Sequence, residues 1–284
     1  MAMTLISAIC MTGCGTAKSE EGNTKNETMV SNEESSKDTK TDEKDVLSAA
    51  NLNVYVAASL NDSMEEIAAL YNKSQPNIKI NLNADSSGTL QSQIEEAAGT
   101  DIDMFFSAST KQMDKLKEEG YIEKDSVTEL LKNKVVLISA KGSGTTATGF
   151  KDITNAKNFA LAGESVPVGQ YTRQIFKNLG IEDAVSKMEI NECDNVSAVK
   201  EAVAEGSNEV GTVYYSDYYS VKDKVDLIAK ADESWCDEII YPVGLVVNPN
   251  ADDNQKKAAD DFINFLQKDE AKAIFEKYMF VINK

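Results

Sequence analysis

The sequence predicts an α/β fold made of βαβ units, and three observations indicate it. Hydrophobic runs, some with strict two-residue alternation, are each followed by a segment with apolar residues at helical spacing. Turns rich in serine or glycine stand between the two kinds of segment. A hydrophobic fraction of 42% in 284 residues is enough for the cores of two ordinary domains. Alternation at this pace predicts mostly parallel sheets flanked by helices.

The first unit is a hydrophobic run over residues 54–58 that ends in Ser59. The helix after it carries apolar residues at one buried face, namely Leu60, Met64, Ile67, Ala68 and Tyr71. Residues 59–62 match a capping box, so Ser59 is expected at the helix N-cap. A helix N-terminus at the end of a strand offers unpaired N–H groups and a positive dipole end, which suit an anion.

Two more units follow with the same arrangement. The strand over residues 78–82 runs into the serine-rich turn 84–89 and a helix, and the strand over 102–106 runs into a second serine-rich turn. The helix after that turn is expected to end at Gly120. A buried strand is predicted over 135–138, and the glycine- and threonine-rich stretch 142–149 is predicted to be a loop.

The second half of the chain repeats the pattern. Pro167 fits the first turn of a helix that ends at Gly180, and a second helix runs from Val196 to Gly206. Strands are predicted over 210–215 and 239–247, and helices over 254–267 and 271–278. Four helix N-termini thus follow strand ends, near Ser59, Ser87, Val168 and Val196. Ligands of open α/β sheets bind at such ends, so two groups of them predict a cleft between two similar domains.

The charge of the chain is strongly negative, at −18 from 29 Lys and Arg against 47 Asp and Glu, with no histidine. This charge argues against nucleic acid and anionic membrane surfaces as partners. The lack of histidine excludes Ser-His-Asp and Cys-His catalysis and histidine metal ligands. The only arginine, Arg173, is expected to be a solvated surface residue. An enzyme is not excluded by this composition, but the commonest catalytic groups are missing, and local dipoles must hold any anion.

The N-terminal residues indicate export. Residues 1–14 resemble a signal peptide whose lipobox, residues 11–14, ends in Cys14 as the lipidation site. The alternative is an apolar leader with a chance cysteine. Residues 15–49 are polar and charged and predict a disordered tether. We expect an exported protein that is lipid-anchored at the outer face of the cell membrane. In an exported chain, Cys193 and Cys236 are also candidates for a disulfide.

Six short motifs occur in order along the folded part of the chain, at residues 57–60, 86–90, 103–108, 166–171, 211–214 and 241–243. Together they resemble the molybdate-binding proteins of ABC importers, which are periplasmic-type substrate-binding proteins. The resemblance covers residues 51–284 and includes two departures. Val168 replaces a smaller residue seen in some relatives, and Met279 stands where relatives often have glycine.

The resemblance implies the type II periplasmic-binding-protein fold, in which two α/β lobes close on a ligand in the cleft between them. It places lobe 1 at residues 50–132 and 240–284 and lobe 2 at 133–239. The implied partners are molybdate or tungstate and the permease and ATPase of the importer. The resemblance also implies a monomeric binding protein that is not an enzyme and has no cofactor. The implied ligand residues are Ser59 and Ser87 through hydroxyl and backbone N–H, Val168 and Val196 through backbone N–H, and Tyr214 through its phenolic O–H.

Elementary chemistry agrees with this site. Neutral donors and helix dipoles can hold a tetrahedral dianion without a buried cation, and the metal then enters only as the oxyanion, with no protein ligand on it. Three alternatives stay open: the same fold binding sulfate or phosphate, an enzyme on this fold, and an adhesion lipoprotein without a small ligand. A phosphate site would favour a proton acceptor, for which Asp85 and Asp194 are the nearest candidates.

Overall fold

The structure, a computed structural model, describes residues 46–284 of the chain. The predicted signal peptide with Cys14, and the predicted tether up to residue 45, lie outside the described residues. The last residues of the predicted tether belong to the folded body, because the Leu47 N–H donates to Gln75 Oε1 over 2.8 Å and its carbonyl accepts from Asn77 Nδ2. None of the helices within residues 46–284 has the length and apolar content needed to cross a membrane.

The described residues form eleven strands, which belong to two sheets. They are β1 (Ala50–Ala57), β2 (Ile78–Asp85), β3 (Met104–Phe106), β4 (Thr128–Asn133), β5 (Val135–Ala140), β6 (Asn158–Ala162), β7 (Glu189–Cys193), β8 (Val210–Tyr214), β9 (Val225–Lys230), β10 (Ile239–Leu245) and β11 (Val281–Ile282).

The same part of the chain forms nine α-helices, together with short 3-10 helices such as Ala58–Leu60. The α-helices are α1 (Asn61–Ser74), α2 (Ser87–Glu96), α3 (Thr110–Glu118), α4 (Pro167–Leu179), α5 (Glu182–Val185), α6 (Val196–Ala204), α7 (Tyr215–Val221), α8 (Asp253–Leu266) and α9 (Asp269–Lys277). Most of the helices predicted from apolar spacing are confirmed within two residues at each end.

The two sheets define two lobes and confirm the predicted two-lobe α/β fold. The first has the order β11-β4-β10-β3-β1-β2 and carries α1, α2, α3, α8 and α9, which form the first lobe with it. The second has the order β7-β6-β8-β5-β9 and carries α4 to α7, which form the second lobe. The chain passes from the first sheet to the second between β4 and β5 and returns between β9 and β10. The residue bounds of the two lobes remain a prediction.

Both sheets are mixed, so the prediction of mostly parallel sheets holds for the βαβ units and does not hold for the strands that cross between the lobes. β1 pairs with β2 and β3 in parallel, whereas β10 is antiparallel to β3 and β4. In the second sheet, β6 is parallel to β7 and β8, whereas β5 is antiparallel to β8 and β9. The βαβ units form the parallel pairs, whereas β5 and β10, which enter each sheet from the other lobe without an α-helical crossover, run antiparallel to both of their neighbours.

The core of each lobe lies between its sheet and its helices. Strand β1 alternates Leu52, Val54 and Val56 into a fully buried face against α1 and α8. A smaller cluster around Phe105 and Leu116 packs α2 and α3 on the opposite face of the same sheet. Helices on both faces explain why the strands read as hydrophobic runs, and they keep the strand ends at the cleft in fixed positions.

Two local features depart from what the sequence predicts. Met279 adopts a left-handed backbone with φ of 66°, which accounts for the glycine that we associate with this position in related proteins. Cys193 and Cys236 are both free thiols, so the disulfide considered between them is absent. Burial raises the pKa of both thiols, to about 11 in Cys236, which keeps them protonated at neutral pH.

Candidate functional site

A small cavity of about 10 Å³ lies between the two lobes, where strand ends and helix starts of both lobes meet. It is lined by Ala57, Ala58, Ser59, Ser86, Ser87, Ala108, Val166, Pro167, Val168, Val196 and Tyr214. The five residues implied as ligand residues are therefore brought together at one place. A larger cavity of about 400 Å³ beside the crossing strands, around Lys132 and Glu238, contains none of them.

Ser59 lies in the 3-10 helix Ala58–Leu60, which joins β1 to α1. The prediction that Ser59 caps α1 is wrong, because the N-cap residue is Leu60 and no side chain caps this helix. The Ser59 hydroxyl instead lies 2.9 Å from the hydroxyl of Tyr241, on β10. A tertiary contact thus replaces the local capping bond and leaves Ser59 at the cavity wall.

Ser87 is the first residue of α2, directly after the capping residue Ser86. The Ser86 hydroxyl accepts from the Thr89 N–H over 3.1 Å, so it satisfies one of the free donors of the helix. The Ser87 hydroxyl accepts from the Ala108 N–H over 2.9 Å. Because a backbone N–H can only donate, the proton of the Ser87 hydroxyl is left free to bond an acceptor in the cavity.

Val168 and Val196 contribute backbone groups from the first turns of α4 and α6. Pro167 occupies the first position of α4, where its missing N–H costs no helical bond. Asn195 caps α6 by accepting from the Ala198 N–H over 3.0 Å. The N–H groups of Val168 and Val196 precede the first donor that bonds within each helix. Both helices therefore present free donors and positive dipole ends to the cavity.

Arg173 holds the first turn of α4 in place. Its guanidinium donates to the carbonyl oxygens of Ala162 and Gly169 over 2.7 and 3.0 Å and pairs with Glu192 at 3.3 Å. The expectation of a solvated surface arginine is therefore wrong, although Arg173 is not among the residues that line the cavity. A side chain at Gly169 would place its Cβ 2.3 Å from the Ala162 carbonyl, so only glycine permits this close approach.

Tyr214 ends β8 and is 1% exposed. Its hydroxyl has no hydrogen-bond partner among the described residues. A buried O–H without a partner costs about 1–3 kcal/mol, so it marks a position where an acceptor is expected. Burial, and then the neighbouring Tyr241, raise the pKa of Tyr214 well above its usual value. The phenol therefore stays protonated and acts as a donor.

None of the residues that line the cavity carries a charge. Asp85 and Asp194 do not line it, and the Asp85 carboxylate instead accepts from the Ser86 N–H over 2.6 Å. Within residues 46–284, no group of three or more His, Cys, Asp or Glu side chains could hold a metal ion. The cavity thus combines hydroxyl donors, backbone donors and helix dipoles. This arrangement suits a fully deprotonated anion, which needs donors and no acceptor.

Sequence reasoning missed some residues that shape the cavity. The sequence predicts no role for Ala108 beyond its place in the motif 103–108, although its N–H sets the direction of the Ser87 hydroxyl. Tyr241 likewise belongs to the motif 241–243 but has no predicted role, although it contacts Ser59. The strand-to-helix turn at residues 107–109 was a usable signal for Ala108. No local signal pointed to Tyr241, because 182 residues separate it from Ser59.

A family model described as bacterial extracellular solute-binding protein matches residues 52–281. YvgL of Bacillus subtilis, whose name assigns it provisionally as an ABC transporter substrate-binding lipoprotein, is 37% identical over 81% of this chain and 85% of its own length. The molybdate-binding protein ModA of Haemophilus influenzae is 30% identical over 82% of this chain and 90% of its own.

A similar solved structure is a substrate-binding domain from Clostridium difficile, provisionally assigned to a molybdenum ABC transporter. It is 34% identical to this chain and superimposes with a TM-score of 0.62. The match covers 82% of this chain and 99% of the solved chain. The likeness thus extends over the whole folded part of the chain and includes both lobes.

Proposed function

Because the chain belongs to the bacterial extracellular solute-binding proteins, we propose that it captures molybdate, and tungstate equally well, for an ABC importer. A substrate-binding role in an ABC transporter follows from the family and its named relatives. The choice of a tetrahedral oxyanion rests on one observation above all. The buried Tyr214 hydroxyl has no hydrogen-bond partner within residues 46–284 and lines a cavity without charged residues.

The proposed binding mechanism uses neutral donors from both lobes. Ser59 and Ser87 donate from the first lobe, and Val168, Val196 and Tyr214 donate from the second. Hydrogen bonds to an ion are about twice as strong as bonds between neutral groups. Their sum, with the helix dipoles, can offset the lost hydration of the dianion. A site without a cation also avoids a buried unpaired charge when it is empty.

Selectivity in this proposal follows from the size of the ion. Molybdate and tungstate have the same charge and almost the same radius, so the donors that fit one fit the other. Sulfate and phosphate are smaller and cannot reach the donors of both lobes at once. Protonated phosphate additionally needs an acceptor for its P–OH group, and no carboxylate lines the cavity.

We further propose that Cys14 carries lipid and that the protein works at the outer face of the cell membrane. The lipobox at residues 11–14 and the lipoprotein designation of YvgL support this anchoring. The importer's permease and ATPase are the partners to which the closed, loaded protein delivers its anion. The protein itself binds and releases the anion and performs no reaction on it.

Calorimetric titration of the purified protein with molybdate, tungstate, sulfate and phosphate tests the proposal. We expect one site with similar affinities for molybdate and tungstate and at least a hundredfold weaker binding of sulfate and phosphate. Tighter binding of sulfate or phosphate would assign the protein to another oxyanion. The absence of binding by all four ions would refute an oxyanion receptor.

A further inference from the structure

The hydroxyl of Ser59 belongs to a buried chain of side-chain hydrogen bonds. Ser59 Oγ lies 2.9 Å from Tyr241 Oη, which lies 3.4 Å from Asn133 Nδ2. The same amide nitrogen donates to Ser216 Oγ over 2.9 Å, and Asn133 Oδ1 accepts from the Lys134 N–H over 2.9 Å. Tyr241 is fully buried and Asn133 is buried as well, so solvent does not compete for these bonds.

The direction of this chain of bonds is set at Lys134. A backbone N–H can only donate, so the group of Asn133 that faces Lys134 must be the carbonyl oxygen. The amide nitrogen, which can also only donate, is thereby turned toward Ser216 and Tyr241. Tyr241 Oη then accepts a hydrogen bond from Asn133, and Ser59 Oγ is the acceptor within residues 46–284 that lies in reach of the Tyr241 proton. Because Tyr241 is fully buried, its O–H would lack a partner if Ser59 donated to it, so the arrangement with Tyr241 as donor to Ser59 is favoured. Ser59 accepts this bond and keeps its own proton for another partner.

We propose that Tyr241 and Asn133 are positioning residues that fix Ser59 as a hydrogen-bond donor toward the bound oxyanion. This proposal rests on the proposed function, because it needs an anion beside Ser59. In the opposite arrangement, Ser59 would donate to Tyr241 and turn its lone pairs toward the anion, which would repel it. The network removes that arrangement before the ligand arrives.

The second site serine is directed by the same rule through a different group. Ser87 Oγ accepts from the Ala108 N–H, which leaves the Ser87 proton free for the cavity. Ser59 has no backbone N–H on its hydroxyl and takes this constraint from Tyr241. Both serines of the first lobe are therefore set as donors, one by the main chain and one by a side-chain relay.

The three residues of the relay belong to the first lobe, although Asn133 also donates to Ser216 of the second lobe. Ser59 follows β1, Asn133 ends β4 and Tyr241 lies on β10, and all three strands belong to the first sheet. Tyr241 is paired with Leu131 across the β4–β10 ladder, which fixes the distance from Asn133 to Tyr241. The donor direction of Ser59 is thus present before the second lobe approaches, which lowers the cost of ordering the site on binding.

A double-mutant cycle tests the relay, with molybdate affinity measured by calorimetry for the wild type, Tyr241→Phe, Ser59→Ala and the double variant. Tyr241→Phe keeps the ring and removes the proton given to Ser59. We expect it to weaken binding about twofold to tenfold in the wild-type background, as one neutral hydrogen bond is worth. In the Ser59→Ala background it should have no further effect, because it acts only through the Ser59 hydroxyl.

A second variant, Asn133→Asp, tests the direction of the bonds. A carboxylate can only accept, so Tyr241 would donate to it and Ser59 would donate to Tyr241. We expect this change to weaken binding more in the wild-type background than in the Ser59→Ala background. The added charge is present in both backgrounds, so its effect cancels in the comparison. Equal losses from Tyr241→Phe in both backgrounds would overturn the relay and leave the proposed function intact. A wild-type protein that binds no oxyanion would overturn both.

Discussion

Asp85 and Asn195 join the two lobes through one hydrogen bond, from Asn195 Nδ2 to Asp85 Oδ1 over 3.2 Å. Asp85 ends β2, two residues before Ser87, and Asn195 directly precedes Val196. The bond therefore ties together two of the chain segments that line the cavity. Because donor and acceptor lie on different lobes, we expect the bond to form only when the cleft is closed.

The first prediction concerns this contact between the lobes. Asp85→Ala removes the acceptor, so the closed form loses a bond and the anion should leave about tenfold faster, with little change in its association rate. Asp85→Asn is the matched control. Its amide oxygen can still accept from Asn195, and like Asp85→Ala it removes the negative charge that repels the anion. Stopped-flow measurements with molybdate should thus show faster release from Asp85→Ala than from Asp85→Asn. Equal release rates would mean that only the charge of Asp85 matters.

The second prediction is that Gly88→Ala prevents full closure. Gly88 lies in the first turn of α2, and a Cβ there would lie 2.3 Å from the Ser165 carbonyl oxygen of the opposite lobe. Alanine favours the helix itself by about 0.5–1 kcal/mol, so the protein without ligand should not be destabilised. We expect at least tenfold weaker molybdate binding and no ligand-induced decrease in the radius of gyration measured by X-ray scattering.

Gly149→Ala provides the control for this variant. The nearest atom to a Cβ at Gly149 is Ala229 Cβ, 3.9 Å away, so the added methyl group makes an ordinary van der Waals contact without a clash. This variant should bind molybdate as the wild type does and contract on binding. If Gly88→Ala behaved in the same way, the contact between α2 and Ser165 would not limit closure.

The third prediction is that Tyr214→Phe has opposite effects on stability and binding. Without ligand, the variant removes a buried hydroxyl that has no partner, which should raise the free energy of unfolding by about 1–3 kcal/mol. With molybdate, it removes a donor, and affinity should fall by about tenfold to a hundredfold. Thermal unfolding with and without molybdate measures both effects. A destabilised variant with unchanged affinity would show that the hydroxyl has a structural partner instead.

The fourth prediction separates two adjacent serines. Ser87→Ala removes a free hydroxyl donor and should weaken molybdate binding about tenfold or more, with the fold intact. Ser86→Ala removes the cap of α2 and should lower the free energy of unfolding by about 1 kcal/mol. Its effect on affinity should be within about threefold. Calorimetry should therefore separate the two variants, whereas chemical denaturation should show a loss of stability in both, because Ser87→Ala leaves the buried Ala108 N–H without its acceptor.

The sequence predicted the cavity-lining segments well because their signals are local. Pro167 and Gly180 mark the start and end of α4, and the glycine has the expected left-handed conformation with φ of 68°. The turn before α2 likewise follows from its run of small polar residues. These signals act through the backbone of a few neighbouring residues, so they survive in the folded protein.

What could not be predicted depends on contacts between distant segments. Ser59 matches a capping box, but the hydroxyl of Tyr241 takes its side chain. The antiparallel strands β4, β5 and β10 follow from the chain crossing between the lobes, which leaves no periodic signal. The role of Arg173 depends on the carbonyl group of Ala162 at the end of β6. In each case, the partner is set by the packing of whole elements.

The last prediction concerns Asp217, which lies in the first turn of α7 and is 2% exposed. Its carboxylate accepts from the Tyr214 N–H over 3.3 Å. Burial raises the pKa of Asp217 to about 7, against the opposing charge of Lys200. In the unfolded chain the same carboxyl has its ordinary pKa near 4. Between these two values the folded protein keeps a proton that the unfolded chain releases.

Stability should therefore fall as the pH rises from about 4 to about 7, because the folded state binds more protons over this range. Above pH 7 the Asp217 carboxyl is ionised in both the folded and the unfolded state, and the loss of stability that it causes stays constant, at a few kcal/mol. Asp217→Asn cannot ionise but can still accept from the Tyr214 N–H, so its advantage over the wild type should grow from pH 4 and level off near pH 7. Urea denaturation at pH 4.5, 5.5, 6.5 and 7.5 measures this difference. Lys200→Met should move the levelling point to higher pH, because the charge that favours ionised Asp217 is gone, and a constant difference at every pH would refute the raised pKa.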